Sequence, residues 1–314
     1  MSKKLNIVYM AGGGEFTLKP FFSILNSKHN LLAIYTKKIK LVGRGKKKLN
    51  NSLALLAKEK NIPIFNINKF NNKENKEHLV KLKLDFIIVF SFGVILPKEI
   101  LEIPKFGCIN IHTSLLPKWR GASPIQHALL NNEKETGITL IKMNEKLDEG
   151  DIVYSKKIFI YDFDNYQTIL DKLTSLASSN LINVLENLIL NKINLLKQDN
   201  TKATYCFKIK KEDTYIKFDN SAETVLGKIK AYSPKPGAKC FIKGEQVKIL
   251  EAKVENKNIK YENYSEVLDN RLLVSCKIGS IRLTKIQSPG KNIMDALQVL
   301  NGWQIKKGLM LNEN

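Results

Sequence analysis

The sequence predicts an α/β protein: a doubly wound, mostly parallel sheet followed by a small C-terminal β-barrel-like domain. Three observations carry this. Over the first half, short apolar runs alternate with helix-like stretches, the rhythm of strand, crossover helix and strand. One of those runs, Asp85–Phe90 (DFIIVF), is almost continuously apolar, as a strand covered on both faces must be. Beyond residue 208 the chain instead shows short strands broken by Gly and Pro turns. With 314 residues, two domains are expected, 1–190 and 208–314, joined by a polar linker over 191–207.

The elements follow in order. Leu5–Met10 is a short apolar strand, and Ala11-Gly12-Gly13-Gly14-Glu15-Phe16 turns it into a helix over Thr17–Ser27. Leu31–Thr36 is the next strand; Leu49–Lys60 is a helix with Leu53, Leu56 and Ala57 on one face. Ile62–Phe65 is a strand, Asn71–Leu82 a polar helix, Asp85–Phe90 the buried strand, Pro97–Leu101 a short helix and Gly107–His112 another strand. Pro124–Asn131 is a helix with its Pro in the first turn, where the missing N–H costs nothing. Gly137–Met143 and Ile152–Ile160 are strands around an acidic turn, which points to an antiparallel extension. Tyr166–Leu190 is a long amphipathic helix. After the linker come a helix over Ala222–Ala231, strands over Ala238–Ile242, Gln246–Val254, Arg271–Cys276 and Ser280–Ile286, and a last helix over Ile293–Leu300.

Composition excludes several classes. Lysines interrupt every long apolar stretch, so no membrane-spanning helix is expected. The start runs straight into a strand with no signal-peptide core, which fits the cytoplasm. Cys108, Cys206, Cys240 and Cys276 lie far apart, which argues against a disulfide scaffold or a zinc ribbon. The net charge of +21 could draw a polyanion, but 47 of the 51 bases are Lys in a chain also rich in Asn and Ile. A compositional bias inflates charge without selecting a ligand, so local clusters must decide.

Four segments could carry chemistry. Gly12-Gly13-Gly14 follows the first strand, but no G-x-G-x-x-G and no phosphate-binding G-x-x-x-x-G-K is present, so a tight turn beside a cleft is favoured over nucleotide binding. Asn110-Ile-His112-Thr-Ser114-Leu-Leu-Pro117 leaves the carboxyl end of a buried strand, where open α/β sheets bind ligands. Asn110 and His112 are two apart, so an amide and an imidazole point to one side and could reach one substrate oxygen; a core strand with a capped histidine is the alternative. Leu147-Asp148-Glu149-Gly150-Asp151 lies between two strands; Asp148 or Asp151 could orient and charge a histidine, and an acidic β-turn is the alternative for either. Lys37, Lys38, Lys40, Arg44, Lys46, Lys47 and Lys48 fall in one loop with no acid, which suits a phosphate backbone; a solvated loop is the alternative.

Together, Asn110-x-His112, Ser114-Leu-Leu-Pro117 and Asp148 in Leu-Asp-Glu-Gly-Asp resemble the folate-dependent formyltransferases. Ser91-Phe-Gly-Val-Ile-Leu-Pro97 and Thr136-Gly-Ile-Thr139 extend the likeness, which is most specific over 85–151 and weaker after 208. The first turn departs from the family's usual Gly-Thr-Pro-Asp/Glu-Phe, the basic loop lacks the common Pro-Asp-Arg start, and Lys235 stands where Trp is common. The resemblance implies a Rossmann-like catalytic domain, an OB-like C-terminal domain gripping tRNA, and 10-formyltetrahydrofolate as donor with no metal. The implied acceptor is the α-amine of initiator methionyl-tRNA, and the protein would act as a monomer. Asn110 and His112 would stabilise an oxyanion and Asp148 would assist proton transfer. Phe92, Gly93, Val94, Ile95, Leu96, Ser114, Leu115, Leu116 and Pro117 would line the folate site, the basic loop would meet the tRNA, and an apolar methionine pocket would lie near Gly13–Phe16. Cys108 has no base at suitable spacing and reads as core. The same chemistry with another acceptor, a hydrolase releasing formate, and a non-catalytic RNA-binding protein remain open alternatives.

Overall fold

The computed structural model describes residues 3–37, 41–42, 47–48, 51–70, 73–303 and 305–312. The chain forms two compact units. One comprises 1–121, 137–158 and 170–205, the other 122–136, 159–169 and 206–314.

The first unit follows the expected rhythm. β1 (Asn6–Ala11) leads through a 3-10 turn into α1 (Leu18–Leu25) and β2 (Asn30–Lys37); a small ladder of β3 (Leu41–Val42) and β4 (Lys47–Lys48) precedes α2 (Ser52–Glu59). The start of α2 is fixed by Asn51, whose Oδ1 accepts from the Ala54 N–H at 3.0 Å while its Nδ2 donates to Thr36. Then come β5 (Ile64–Ile67), α3 (Lys73–Lys81), β6 (Phe86–Phe90), α4 (Lys98–Leu101), β7 (Cys108–His112) and the short β8 (Arg120–Gly121). The chain leaves for α5 (Pro124–Leu130) and returns as β9 (Glu135–Lys142), β10 (Asp151–Phe159) and α6 (Tyr166–Ile189).

Seven strands make one sheet in the order β10-β9-β7-β6-β1-β2-β5. β5, β2, β1, β6 and β7 are mutually parallel, β9 is antiparallel to β7, and β10 extends the sheet beside β9. All five residues of β6 are buried, which its unbroken apolar run required. Winding runs outward from β1 to β2 and β5, then resumes on the other side of β1 with β6 and β7. The carboxyl ends of β1 and β6 therefore flank a crevice of the kind that holds ligands in open α/β sheets. Gly12 sits there because nothing larger fits: a Cβ would lie 2.4 Å from the Ser91 carbonyl oxygen.

Several boundaries in this unit shift from expectation, as at α2, which opens at Ser52, and β9, which opens at Glu135. A 3-10 turn at Glu15–Thr17 delays α1. β5 begins two residues later than the apolar run suggested, because Asn61 takes a left-handed backbone (φ 53°) and Pro63 follows it.

After the short β11 (Tyr205–Cys206), at which the chain passes into the second unit, that unit carries α7 (Ala222–Tyr232) and an antiparallel sheet. The sheet holds β12 (Ala238–Ile242), β13 (Glu245–Lys260), β15 (Ile278–Gln287) and β14 (Leu273–Ser275) in that order, with β16 (Ile293–Asp295) added to β15. α7 crosses α5 at Gly227, where a Cβ would meet the Leu129 carbonyl oxygen at 2.8 Å. Arg282 ties β15 to Glu255 and, at 2.8 Å, to Asp269 Oδ2. The last helix begins three residues later than expected: Ile293–Asp295 pairs with β15, and α8 (Ala296–Trp303) starts only afterwards.

Candidate active site

β7 delivers two polar side chains at its carboxyl end. Antiparallel pairing with β9 sets their register, Asn110 opposite Ile141 and His112 opposite Thr139. His112 is 5% exposed. Its Nε2 lies 2.9 Å from the Trp119 carbonyl oxygen, which can only accept, so Nε2 bears the proton. Trp119 is held in a left-handed conformation (φ 61°), and its own N–H donates to Thr204 Oγ1 at 2.9 Å.

The acidic turn between β9 and β10 supplies the third group. Asn110 Nδ2 donates to Asp148 Oδ1 at 3.3 Å, and His112 Nδ1 lies 3.6 Å from Asp148 Oδ2. The Gly121 N–H donates to the same Oδ2 at 2.8 Å. The structure thus brings Asn110, His112 and Asp148 together, and it resolves the choice between the two acids: Asp151 opens β10, whereas Asp148 meets both side chains. Chemically, an amide donor and an imidazole share one carboxylate at the end of a buried strand. That set can stabilise a developing oxyanion and move a proton without a covalent intermediate.

A third layer was not legible in the sequence. Arg120 is 1% exposed and is the largest fully buried side chain among the described residues. Its Nε and Nη2 donate to Gln198 Oε1 at 3.1 and 2.8 Å, and Nη2 also donates to Asn200 Oδ1 at 2.8 Å. Gln198 Nε2 in turn donates to the carbonyls of Asp148 (2.7 Å) and Gly150 (2.8 Å). The polar stretch read as a linker therefore carries side chains packed under the site, a role that polarity alone could not announce.

The residues expected at the folate site divide by exposure. Phe92, Leu96, Ser114 and Leu116 are buried; Ile95 is 88% exposed and Gly93 adopts φ 60°. Val94 packs against the core, and Leu115 and Pro117 are half-buried. Thr139 Oγ1 fixes this loop, donating to the Ser114 carbonyl at 2.7 Å and accepting from the Leu116 N–H at 3.1 Å. Of the basic-loop residues, Lys38, Lys40, Arg44 and Lys46 lie outside the described residues. Lys37 ends β2, with Nζ close to Gly93, and Lys47 and Lys48 form β4. At the expected methionine pocket, Phe16 packs edge-on against Phe90 with ring centroids 5.5 Å apart.

Cys108 is core. Burial pushes its thiol up to about 12, which removes it as a nucleophile near neutral pH. Among the described residues no three His, Cys, Asp or Glu side chains gather as a metal site, and no helix is long and apolar enough to cross a membrane.

Comparison with known proteins shows the family. The formyl transferase family model matches residues 5–185, and the formyl transferase C-terminal domain model matches 208–304. A methionyl-tRNA formyltransferase from Pelagibacter ubique is 42% identical over 311 residues, covering 98% of both chains. One from Thermotoga neapolitana is 36% identical over 305 residues, covering 97% of both. Among solved structures, WlaRD, a sugar 3N-formyl transferase, superposes with a TM-score of 0.66 at 21% identity over 93% of this chain and all (100%) of that one. HypX from Aquifex aeolicus, solved with tetrahydrofolic acid, gives 0.64 at 16% identity over 96% of this chain and 48% of its own length. Matched along both parts and by full-length relatives, the chain belongs to the formyl transferase family, alongside its methionyl-tRNA formyltransferases.

Proposed function

We propose that this protein transfers the formyl group of 10-formyltetrahydrofolate to the α-amino group of initiator methionyl-tRNA, supplying formylmethionyl-tRNA for translation initiation. The observation that carries the reading is the convergence of Asn110 and His112 on Asp148 at the end of β7. Near-full-length identity to proteins of that name selects the acceptor.

The amine attacks the formyl carbon and the carbonyl oxygen takes the negative charge. The amide of Asn110 has two protons; one points to Asp148, and the second serves that oxygen. His112 acts as the imidazolium. The trio's carboxylate lies 3.6 Å from Nδ1, beyond hydrogen-bond reach, which leaves that proton for the substrate oxygen. Asp148 stabilises the cation and relays the proton lost by the amine toward N10 of the folate, the leaving group. The folate pterin rests on backbone groups of Phe92–Leu96 and Ser114–Pro117. Lys37, Lys38, Lys40, Arg44, Lys46, Lys47 and Lys48 meet tRNA phosphates, and residues 208–314 add an OB-like tRNA grip. The enzyme works as a cytoplasmic monomer and uses no metal.

The test is transfer of radiolabelled formyl from 10-formyltetrahydrofolate to methionyl-tRNA, with uncharged tRNA and amino sugars as competing acceptors. Formylmethionyl-tRNA should form, and His112→Ala should abolish it. No product, a better amino-sugar rate, or an unaffected His112→Ala variant would each overturn the reading.

A further inference from the structure

Arg120 is buried and Gln198 half-buried; apart from Arg120's bonds to Asn200 Oδ1 and the Tyr205 hydroxyl, the side-chain bonds of the pair lead to the turn that carries Asp148. The Gln198 amide spends its oxygen on two Arg120 donors and its nitrogen on two carbonyls, those of Asp148 and Gly150. Those carbonyls bracket Glu149, whose carboxylate lies 3.4 Å from Arg120 Nη1. Asp148 itself is held at φ 53°, a conformation a non-glycine residue keeps only when its surroundings enforce it. On the other side, Arg120 is flanked by the two backbone groups that touch the trio. The Trp119 carbonyl accepts from His112, and the Gly121 N–H donates to Asp148. The guanidinium therefore joins the strap that orients the imidazole to the turn that presents the carboxylate.

From this geometry we infer that Gln198 and Arg120 are positioning residues for formyl transfer: they fix the distance between His112 and Asp148 without touching substrate. A burial-only role would require neither the bidentate amide nor its aim at the turn, since any apolar side chain could fill the space. The inference rests on the proposed reaction for its kinetic arm alone. Its structural arm is independent of any activity.

Gln198→Glu separates the two halves of the amide. The variant keeps the one oxygen that accepts both Arg120 donors and so keeps the guanidinium paired, but it sets its second carboxylate oxygen against the carbonyls of Asp148 and Gly150. Asp148 should loosen. The Gly121 amide, protected by its bond to Oδ2, should then exchange with deuterium roughly tenfold faster, read by NMR in the full chain. In formyl transfer, kcat should fall by about 10- to 100-fold while KM for folate and for methionyl-tRNA stays within about twofold, because misplacement by under an ångström is costly only at the reacting atoms. Gln198→Met, which fills the volume without polar atoms, provides a second variant if the glutamate does not fold, and it should show the same exchange and kcat effects. Unchanged Gly121 exchange in a folded variant overturns the inference, as does a kcat within twofold of the parent or a loss that appears in KM. If the parent protein itself transfers no formyl group, the reaction assignment fails while the exchange measurement still decides the clamp.

Discussion

Gly121 donates its backbone N–H to Asp148 Oδ2 at 2.8 Å, a bond that spans 27 residues. Together with Asn110 on the other oxygen, it holds the carboxylate so that both lobes point into the trio. Asp148→Asn keeps the shape and removes the charge, and one face of the new amide must oppose a donor. We expect kcat to drop by about 10²- to 10⁴-fold in rapid-quench formyl transfer, with Tm moved by less than about 5 °C. A parent-like kcat would remove Asp148 from the chemistry.

Asn110 offers its second amide proton to the oxyanion. Asn110→Ala should lower kcat by about 10²- to 10³-fold, the usual cost of one oxyanion donor, with little change in either KM. The comparison to make is single-turnover formation of formylmethionyl-tRNA by both proteins at saturating folate.

Gly12 touches the Ser91 carbonyl across the crevice between β1 and β6. In Gly12→Ala the Cβ would stand 2.4 Å from a backbone oxygen that cannot rotate away. Urea unfolding should show a loss of about 1–3 kcal/mol, and KM for the folate donor should rise as the crevice is forced open.

Arg282 holds Asp269 well below the usual carboxylate range, chiefly through its side-chain hydrogen bond, and lowers Glu255 by the same means. A depressed folded-state pKa stabilises fully above the unfolded value and is lost as pH falls toward the folded one. Arg282→Met should therefore cost on the order of 1–2 kcal/mol at pH 7, after allowance for partial solvent screening. The gap between parent and variant should begin to narrow below about pH 4, where the carboxylates take up protons in the unfolded chain, and keep narrowing as pH falls further. Denaturant titrations at pH 7, 5 and 3.5 check the sign.

Arg44 stands between two glycines in a segment of the sequence otherwise supplied with lysine. Arg44→Ala should raise KM for methionyl-tRNA, leave KM for folate unchanged, and make the log–log salt dependence of tRNA binding shallower by about 1. Unchanged tRNA kinetics would return the loop to solvent.

What could be read from the sequence follows physical range. The run FIIVF announces a buried strand because burial on both faces leaves no room for polar residues. Asn110 and His112 were legible because a strand repeats every two residues, so their shared side is fixed locally. Asp148 and Asp151 could not be separated, since both suit a turn and only the register of β9 against β7 decides which one arrives. Gln198 gave no local sign at all: its partners lie 48, 50 and 78 residues away, in a stretch without periodicity. β13 outran its apolar pattern for a related reason. Past Val254 it is held by backbone pairing with β15, to Lys260 opposite Ile278, while its side chains turn polar. At Ile293–Asp295 the apolar pair Ile293-Met294 looked like the start of an amphipathic helix, yet β15 offered a free edge and pairing won.

The second unit takes α5 from the middle of the chain and α7 from far beyond it, and the two meet closely at Gly227. During synthesis α5, ending at Leu130, emerges long before α7 begins at Ala222. At ordinary elongation speeds its apolar face, with Ile125, Ala128 and Leu129, waits on the order of 5 to 20 s for cover. Nascent copies of this chain are thus briefly sticky at one defined helix, a window in which a ribosome-associated chaperone has something specific to hold.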